Sequence, residues 1–340
     1  MNGSTRILSI TALLLAATTA YAHHSFAYHF DLSKTVTIEG VVKEFRFINP
    51  HAHLIVYVAN ENGNTEEWDC AMGAANGLAR NGWTKDLFVP GQVITITGPE
   101  ARRNPTGCSY SVGVLADGTR IEAGQPLAVE GSAAGANAVS PAAVADGIPN
   151  LHRVWQGTAG MGMGGPPGPD GPNPHAYLLS EAGHEALAEY DPVTDDPSLQ
   201  CSPVSISRVW GTGSPVLIEQ REDVVIIRHE WMDAERTVRL NQTEHPDGAD
   251  TVLGRSIGWY EDSTLVIDTR GYAPGVLRQH PGLPHSDQLH TVERLTLSED
   301  GNLLVVSWSA EDPLYFLESL EGGRTYQPST VVPQPYNCTH

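Results

Sequence analysis

Two adjacent histidines, His23 and His24, follow the tripeptide Ala20-Tyr21-Ala22 near the start of the chain. A small-x-small tripeptide of this kind marks a signal-peptidase cleavage site when a charged start and a short apolar run precede it. One arginine and the apolar run of residues 7–17 meet that condition. We therefore predict a signal peptide over residues 1–22 and a mature chain that begins at His23.

A histidine at the first position of a mature chain can bind a metal ion through its α-amine and its imidazole together. A free α-amine titrates near about 7.7–8.0, so a metal ion can displace its proton at neutral pH. One further imidazole would give three nitrogen ligands in a T-shaped arrangement, which suits the tetragonal coordination geometry that Cu(II) prefers. Cleavage two residues earlier would place His23 third, an arrangement that also binds copper. Copper is therefore the predicted cofactor.

The further imidazole could come from His24, His29, His51 or His53. Residues 51–58 are predicted to form a strand, in which residues two apart point to the same face. The predicted metal ligands are therefore His23, His51 and His53. The competing interpretation is a frayed terminus, with the histidine of the Asn-Pro-His turn bonded to backbone.

The strand and linker patterns divide the mature chain into two predicted domains. Residues 23–125 carry short alternating and β-branched segments with one short helix, which favours a small barrel of the OB type. Residues 126–149 are rich in Ala, Gly, Ser and Pro, which is typical of a linker.

Residues 150–340 are predicted to form one helix followed by consecutive hairpins. Hairpins in series predict an antiparallel meander, closed as a lipocalin-like barrel or folded as a sandwich. The chain as a whole is therefore predicted to be mainly β.

Acid and base side chains concentrate in the second predicted domain, where Trp231 and Trp259 could wall a pocket. The candidates for catalysis are His229, His285 and Glu293, because imidazole and carboxylate groups act as general acids and bases. They support an alternative function, a small-molecule-binding or hydrolytic enzyme. The competing interpretation places these residues on solvated strand faces and loops.

Charge and hydropathy exclude some partners. The chain has 20 basic and 40 acidic residues and a net charge of −20, which repels nucleic-acid phosphates. After the signal peptide no segment has the roughly 18 successive apolar residues that a spanning helix needs. We expect a small-molecule or protein partner, no nucleic acid and no membrane span.

Four cysteines, an even number in an exported chain, predict disulfides. Three pairings are possible. If the chain divides between the two predicted domains, Cys70–Cys108 and Cys201–Cys338 are the pairs that stay within one domain. Disulfides together with the signal peptide predict a periplasmic or secreted location.

Two stretches of the chain resemble uncharacterised exported proteins. "AHHSFAYHFDLSKTVTIEGVVKEFRFINPHAH" is similar to the start of a bacterial family of unknown function with Ala-His-His-Ser-Phe and Asn-Pro-His motifs, and the similarity covers residues 22–125. "SIGWYEDSTLVIDTRGY" and "EDPLYF" resemble a second secreted β-rich domain. The resemblance implies export and a fusion of two domains, but no activity. The first family more often has an aromatic residue at the place of His53, so the resemblance favours His51 as the ligand.

Overall fold

The structure, a computed structural model, describes residues 26–60, 62–127, 144–145, 148–158, 176–278 and 282–339. The predicted signal peptide, His23 and most of the predicted linker lie outside these residues. Strand pairing divides the described residues into a small barrel and a larger one. The predicted mainly β class is confirmed.

The small barrel is formed by the elements between residues 26 and 122. They are α1 (Phe26–His29), β1 (Phe30–Arg46), β2 (His53–Ala59), β3 (Thr65–Ala71), α2 (Ala75–Arg80), β4 (Val93–Ala101), β5 (Gly107–Ser109), β6 (Val112–Leu115) and β7 (Arg120–Glu122). The barrel order is β1-β2-β3-β5-β4, and β4 pairs with β1 to close it, while β6 and β7 extend from β4. This five-stranded closure confirms the predicted OB-like barrel.

Close strand contact at one glycine helps this barrel to close. A Cβ atom at Gly98 would lie 1.7 Å from the carbonyl oxygen of Ser109, so β4 can approach the end of β5 only without a side chain at this position. Trp83, Phe88 and Tyr110 fill the interior with ring centroids 5.9–6.0 Å apart. These edge-on contacts of buried rings stabilise a core that is otherwise aliphatic.

The larger barrel and its attachments follow residue 143. Its strands are β8 (Val144–Ala145), β9 (Ile148–Pro149), β10 (Arg153–Gly157), β11 (Val216–Gln220), β12 (Val224–His229), β13 (Glu235–Leu240), β14 (Arg255–Glu261), β15 (Thr264–Arg270), β16 (Gly275–Arg278), β17 (Leu283–His285), β18 (His290–Leu297), β19 (Leu304–Glu311) and β20 (Leu320–Pro328). Its helices are α3 (Glu181–Glu189) and α4 (Ile206–Gly211), with 3-10 turns at Ala176–Leu178, Pro197–Gln200 and Trp231–Asp233.

Nine of these strands close into one barrel, in the order β10-β11-β12-β13-β14-β15-β18-β19-β20. Of the two architectures that the hairpin pattern left open, the structure therefore has the closed barrel. Neighbouring strands are antiparallel except β13 and β14, which pair in parallel because residues 241–254 cross over between them. The β16–β17 hairpin lies between β15 and β18 in the chain and forms a separate two-stranded sheet.

Both predicted disulfide pairs are present. Cys70–Cys108 joins β3 to β5 at directly opposed positions. Cys201–Cys338 ties the carboxyl-terminal tail, residues 329–339, to the turn before α4. The tail also reaches the small barrel, where Thr339 N–H donates to the Asn49 carbonyl at 2.9 Å.

Candidate functional site

His51 and His53 lie side by side at the start of β2, and each ring is held at its Nδ1 atom. His51 Nδ1 is 3.0 Å from the Met72 carbonyl oxygen, and His53 Nδ1 is 2.8 Å from Asp69 Oδ1. A carbonyl and a carboxylate oxygen can only accept, so each Nδ1 carries the proton. In the neutral rings, Nε2 is then the nitrogen with a free lone pair, which is the atom that a metal ion binds.

His29, at the end of α1, lies within electrostatic reach of this pair. Loss of hydration lowers the pKa of His51, and the charges of His53 and His29 lower it further, while the Met72 carbonyl opposes the shift. Burial also lowers the pKa of His29. We call His29, His51 and His53 the histidine cluster, because the charges of His29 and His53 both act on His51.

Acidic residues of the segment between α3 and Pro197 face the histidine cluster from the larger barrel. Asp196 raises the pKa of both His29 and His51, so its carboxylate lies near both rings. At the same place Arg103 Nη1 donates to Asp191 Oδ2 at 3.0 Å, an ion pair between the two barrels. The cluster therefore lies where the two barrels meet.

The histidine cluster is not a complete metal site by itself. Among the described residues, no group of three or more His, Cys, Asp or Glu side chains is placed to hold a metal ion. The predicted first ligand, His23, lies outside the described residues. The structure thus brings two of the three predicted ligands, His51 and His53, to one edge of the small barrel.

Asn49 of the Asn-Pro-His turn holds the carboxyl-terminal tail. Its side chain is 4% exposed, donates to the Tyr336 carbonyl and accepts from Asn76 N–H at 3.2 Å. The sequence did not reveal this contact, nor the roles of Asp69 and Asp196. The contact of Asp69 with His53 could have been expected from the pairing of β2 with β3, which sets Asp69 opposite Ile55.

His229 and Glu293 are both buried in the larger barrel, where each contacts Trp210. Glu293 is 0% exposed, forms an ion pair with Arg236 and accepts from Trp210 Nε1. The ring of His229 meets that of Trp210 edge-on at 4.6 Å, and burial together with Arg236 lowers the pKa of His229 to about 3. Apolar side chains fill the surrounding interior, and neither ring nitrogen of His229 has a hydrogen-bond partner among the described residues.

His285 does not join them. It lies on β17, outside the barrel, where its Nδ1 is 3.0 Å from the Ser286 carbonyl oxygen and its ring contacts that of Tyr272 edge-on. Burial lowers its pKa. It borders a shallow groove of about 350 Å³ beside α3. The structure therefore separates the three catalytic candidates into an interior pair and one surface-groove residue.

Comparison with known protein families matches part of the small barrel. Residues 12–109 match a family described as a family of unknown function (DUF6152), which covers the small barrel through β5. No curated protein matches the chain. Of the helices among the described residues, none is long and apolar enough to cross a membrane.

Proposed function

We propose that this is an exported protein, periplasmic or secreted, that binds copper through His23 at its mature amino terminus together with His51 and His53. The observation that carries the proposal is the fixed orientation of His51 and His53, whose Nδ1 atoms contact the Met72 carbonyl and Asp69. Metal-binding histidines in proteins nearly always have their second ring nitrogen bonded to a carbonyl or carboxylate in this way.

The chemistry of the donor set favours copper. The α-amine and imidazole of His23 supply two nitrogens, and the Nε2 atoms of His51 and His53 supply the others. Imidazole suits several transition metals, and tetragonal nitrogen ligation is typical of Cu(II). Asp69 would orient His53 and increase the basicity of its Nε2, because a carboxylate withdraws the Nδ1 proton toward itself.

Export is supported by the predicted signal peptide and by the two disulfides, since stable disulfides are typical of oxidising compartments. We further propose that the larger barrel is a second exported domain fused to the first. The Arg103–Asp191 ion pair and the tail contacts of Asn49 hold it against the histidine cluster.

The test is copper stoichiometry in protein purified after natural processing. Intact mass establishes the first residue, and elemental analysis with electron paramagnetic resonance measures bound Cu(II). We expect one copper per chain, lost when His23→Ala is combined with His24→Ala and lost or greatly weakened in His51→Ala. The matched control is His184→Ala, an exposed histidine of α3. Unchanged copper binding in both changed proteins would refute the proposal.

A second variant tests the orientation of His53. Asp69→Ala removes the carboxylate but no proposed ligand, and we expect copper affinity to fall by about 10- to 100-fold. Stoichiometry at saturating copper should stay at one. An affinity equal to that of the unmodified protein would show that His53 is not a ligand oriented by Asp69.

A further inference from the structure

A groove of about 520 Å³ opens on the outer face of the larger barrel, where β15, β18 and β19 meet the loop of residues 312–319. Small-molecule sites have volumes of about 300–1,000 Å³. The groove combines charge of both signs with apolar surface. The charged and apolar side chains that line it are those of Arg270, His290, Glu311, Phe316, Leu317 and Glu318.

Arg270 is held in position by a chain of hydrogen bonds. Its Nη2 lies 3.2 Å from His290 Nδ1. A guanidinium can only donate, so Nδ1 accepts and the proton of the neutral ring is on Nε2. His290 Nε2 in turn donates to Asp268 Oδ2 at 2.8 Å, and His245 Nε2 lies 2.8 Å from the other oxygen of Asp268. The Arg270 guanidinium is therefore anchored at one of its nitrogens beside the groove.

Glu311 and Glu318 give the groove a negative side. Neither carboxylate takes part in a salt bridge or side-chain hydrogen bond with another of the described residues. Glu311 is paired with His290 across β18 and β19, and Arg270 lies beyond His290 on β15. Two strand spacings, roughly 10 Å, thus separate the backbones that carry the positive and negative groups.

The apolar part of the groove is a wall formed by Phe316 and Leu317. The Leu317 side chain is 66% exposed, a large fraction for an aliphatic residue beside a polar groove. Contact with an apolar ligand group would remove this surface from water, which is favourable in proportion to the area buried.

We propose that this groove binds an apolar α-amino acid, either free or as the end groups of a dipeptide. Its carboxylate contacts Arg270, which can bind a carboxylate through two parallel N–H groups. Its ammonium contacts Glu311 and Glu318, and its side chain packs on Phe316 and Leu317. This site is independent of the proposed copper site, which lies on the small barrel.

The test uses the processed full-length protein and four probes in calorimetry and ligand-observed NMR. L-leucine and leucyl-leucine carry both charges, 3-methylbutylamine lacks the carboxylate, and 4-methylpentanoate lacks the ammonium. We expect at least one of the two zwitterions to bind at least about tenfold more tightly than either singly charged analogue, since each charged contact contributes a comparable factor. Failure of both zwitterions to bind, or equal affinity for the analogues, would overturn the proposal. Whichever of the two zwitterions binds more tightly shows whether the ligand is a single amino acid or a dipeptide.

Variants assign the charged contacts. Arg270→Gln should weaken the bound zwitterion by about 10- to 100-fold, whereas Arg239→Gln, an exposed arginine of β13, should not change it. Glu311→Gln combined with Glu318→Gln should weaken 3-methylbutylamine but not 4-methylpentanoate. Full affinity in Arg270→Gln would contradict the assignment.

Asp268→Ala tests the positioning of Arg270 through His290. The variant removes the carboxylate that accepts from His290 Nε2, so the orientation of the His290 ring is no longer fixed. The expected loss is confined to ligands with a carboxylate, while 3-methylbutylamine keeps its affinity and copper stoichiometry is unchanged. An equal loss for every probe would indicate structural damage and would refute the positioning role.

Discussion

The two barrels differ in where their ionisable side chains lie. The small barrel has an aliphatic and aromatic core, and its histidines lie at one edge, at the start of β2. The larger barrel encloses an ion pair, Arg236–Glu293, and an imidazole, His229, within an otherwise apolar core. The difference shows that residue type alone does not give the location of an acid or base group, since the same residue types lie at an edge of one barrel and enclosed in the other.

The first prediction compares the two disulfides, one associated with each barrel. Replacing Cys201 and Cys338 by serine should lower the free energy of unfolding by about 5 kcal/mol, and replacing Cys70 and Cys108 by about 4 kcal/mol. The Cys201–Cys338 bond closes a loop of 137 residues and the Cys70–Cys108 bond a loop of 38 residues. The longer closed loop restricts the unfolded chain more, so its loss should cost more stability. Urea unfolding followed by tryptophan fluorescence measures both. A larger loss from the shorter loop would contradict the entropic account.

The second prediction concerns the ion pair inside the larger barrel. Glu293→Ala leaves the Arg236 charge buried without a partner, so the free energy of unfolding should fall by about 3–5 kcal/mol. The combined change Arg236→Met with Glu293→Leu should be much less damaging, because apolar residues of similar size need no partner. Both are measured by urea unfolding. Equal losses from the single and double changes would show that the pair is not the cause.

The third prediction is a pH dependence that originates in the larger barrel. The folded-state pKa of His229, about 3, is below its ordinary value of 6.5, so the unfolded chain binds the proton more readily. Stability is therefore full above pH 6.5 and falls as the pH decreases toward 3, by about 2 kcal/mol between pH 7 and pH 5. Urea unfolding at pH 7, 6 and 5 measures it. His229→Leu should remove this contribution, and an unchanged slope in that variant would disprove it.

The fourth prediction has the smallest expected effect and concerns the contact between the barrels. Arg80 Nη1 donates to Glu230 Oε1 at 2.8 Å, with the Glu230 side chain 1% exposed. Arg80→Met should lower the free energy of unfolding by about 1 kcal/mol or somewhat more, because Glu230 keeps the Gln334 N–H as a donor. Arg120→Met breaks the exposed pair with Glu122 and should have almost no effect. Equal effects would show that burial does not matter here.

Much of the fold could be predicted because its signals are local. Alternation in residues 35–47, and hairpin turns such as that between β14 and β15, depend on neighbouring residues, so both β-rich domains were expected. The parallel pairing of β13 with β14 could not be predicted, because it arises from a long crossover with no periodic pattern. The choice between a barrel and a sandwich for the larger domain could not be made from the sequence, since both architectures are built from the same hairpins.

The candidate site was predictable only in part. His51 and His53 could be proposed from their spacing on one strand, but their partners Met72 and Asp69 come from another part of the chain. Asp196 comes from the other barrel, and its influence on His51 depends on how the barrels meet. The enclosure of Glu293 could not be predicted, because the sequence does not state which strand face closes into the interior.

The sequence by itself determined the mainly β class and the set of four cysteines, because these follow from composition and short-range pattern. Tertiary structure decided which groups are enclosed and which are oriented for binding. The physical reason is that Arg236 meets Glu293, Asn49 meets Tyr336 and Asp69 meets His53 only after barrel closure brings distant segments together. Such contacts depend on the register and order of whole strands, which no short stretch of the chain specifies.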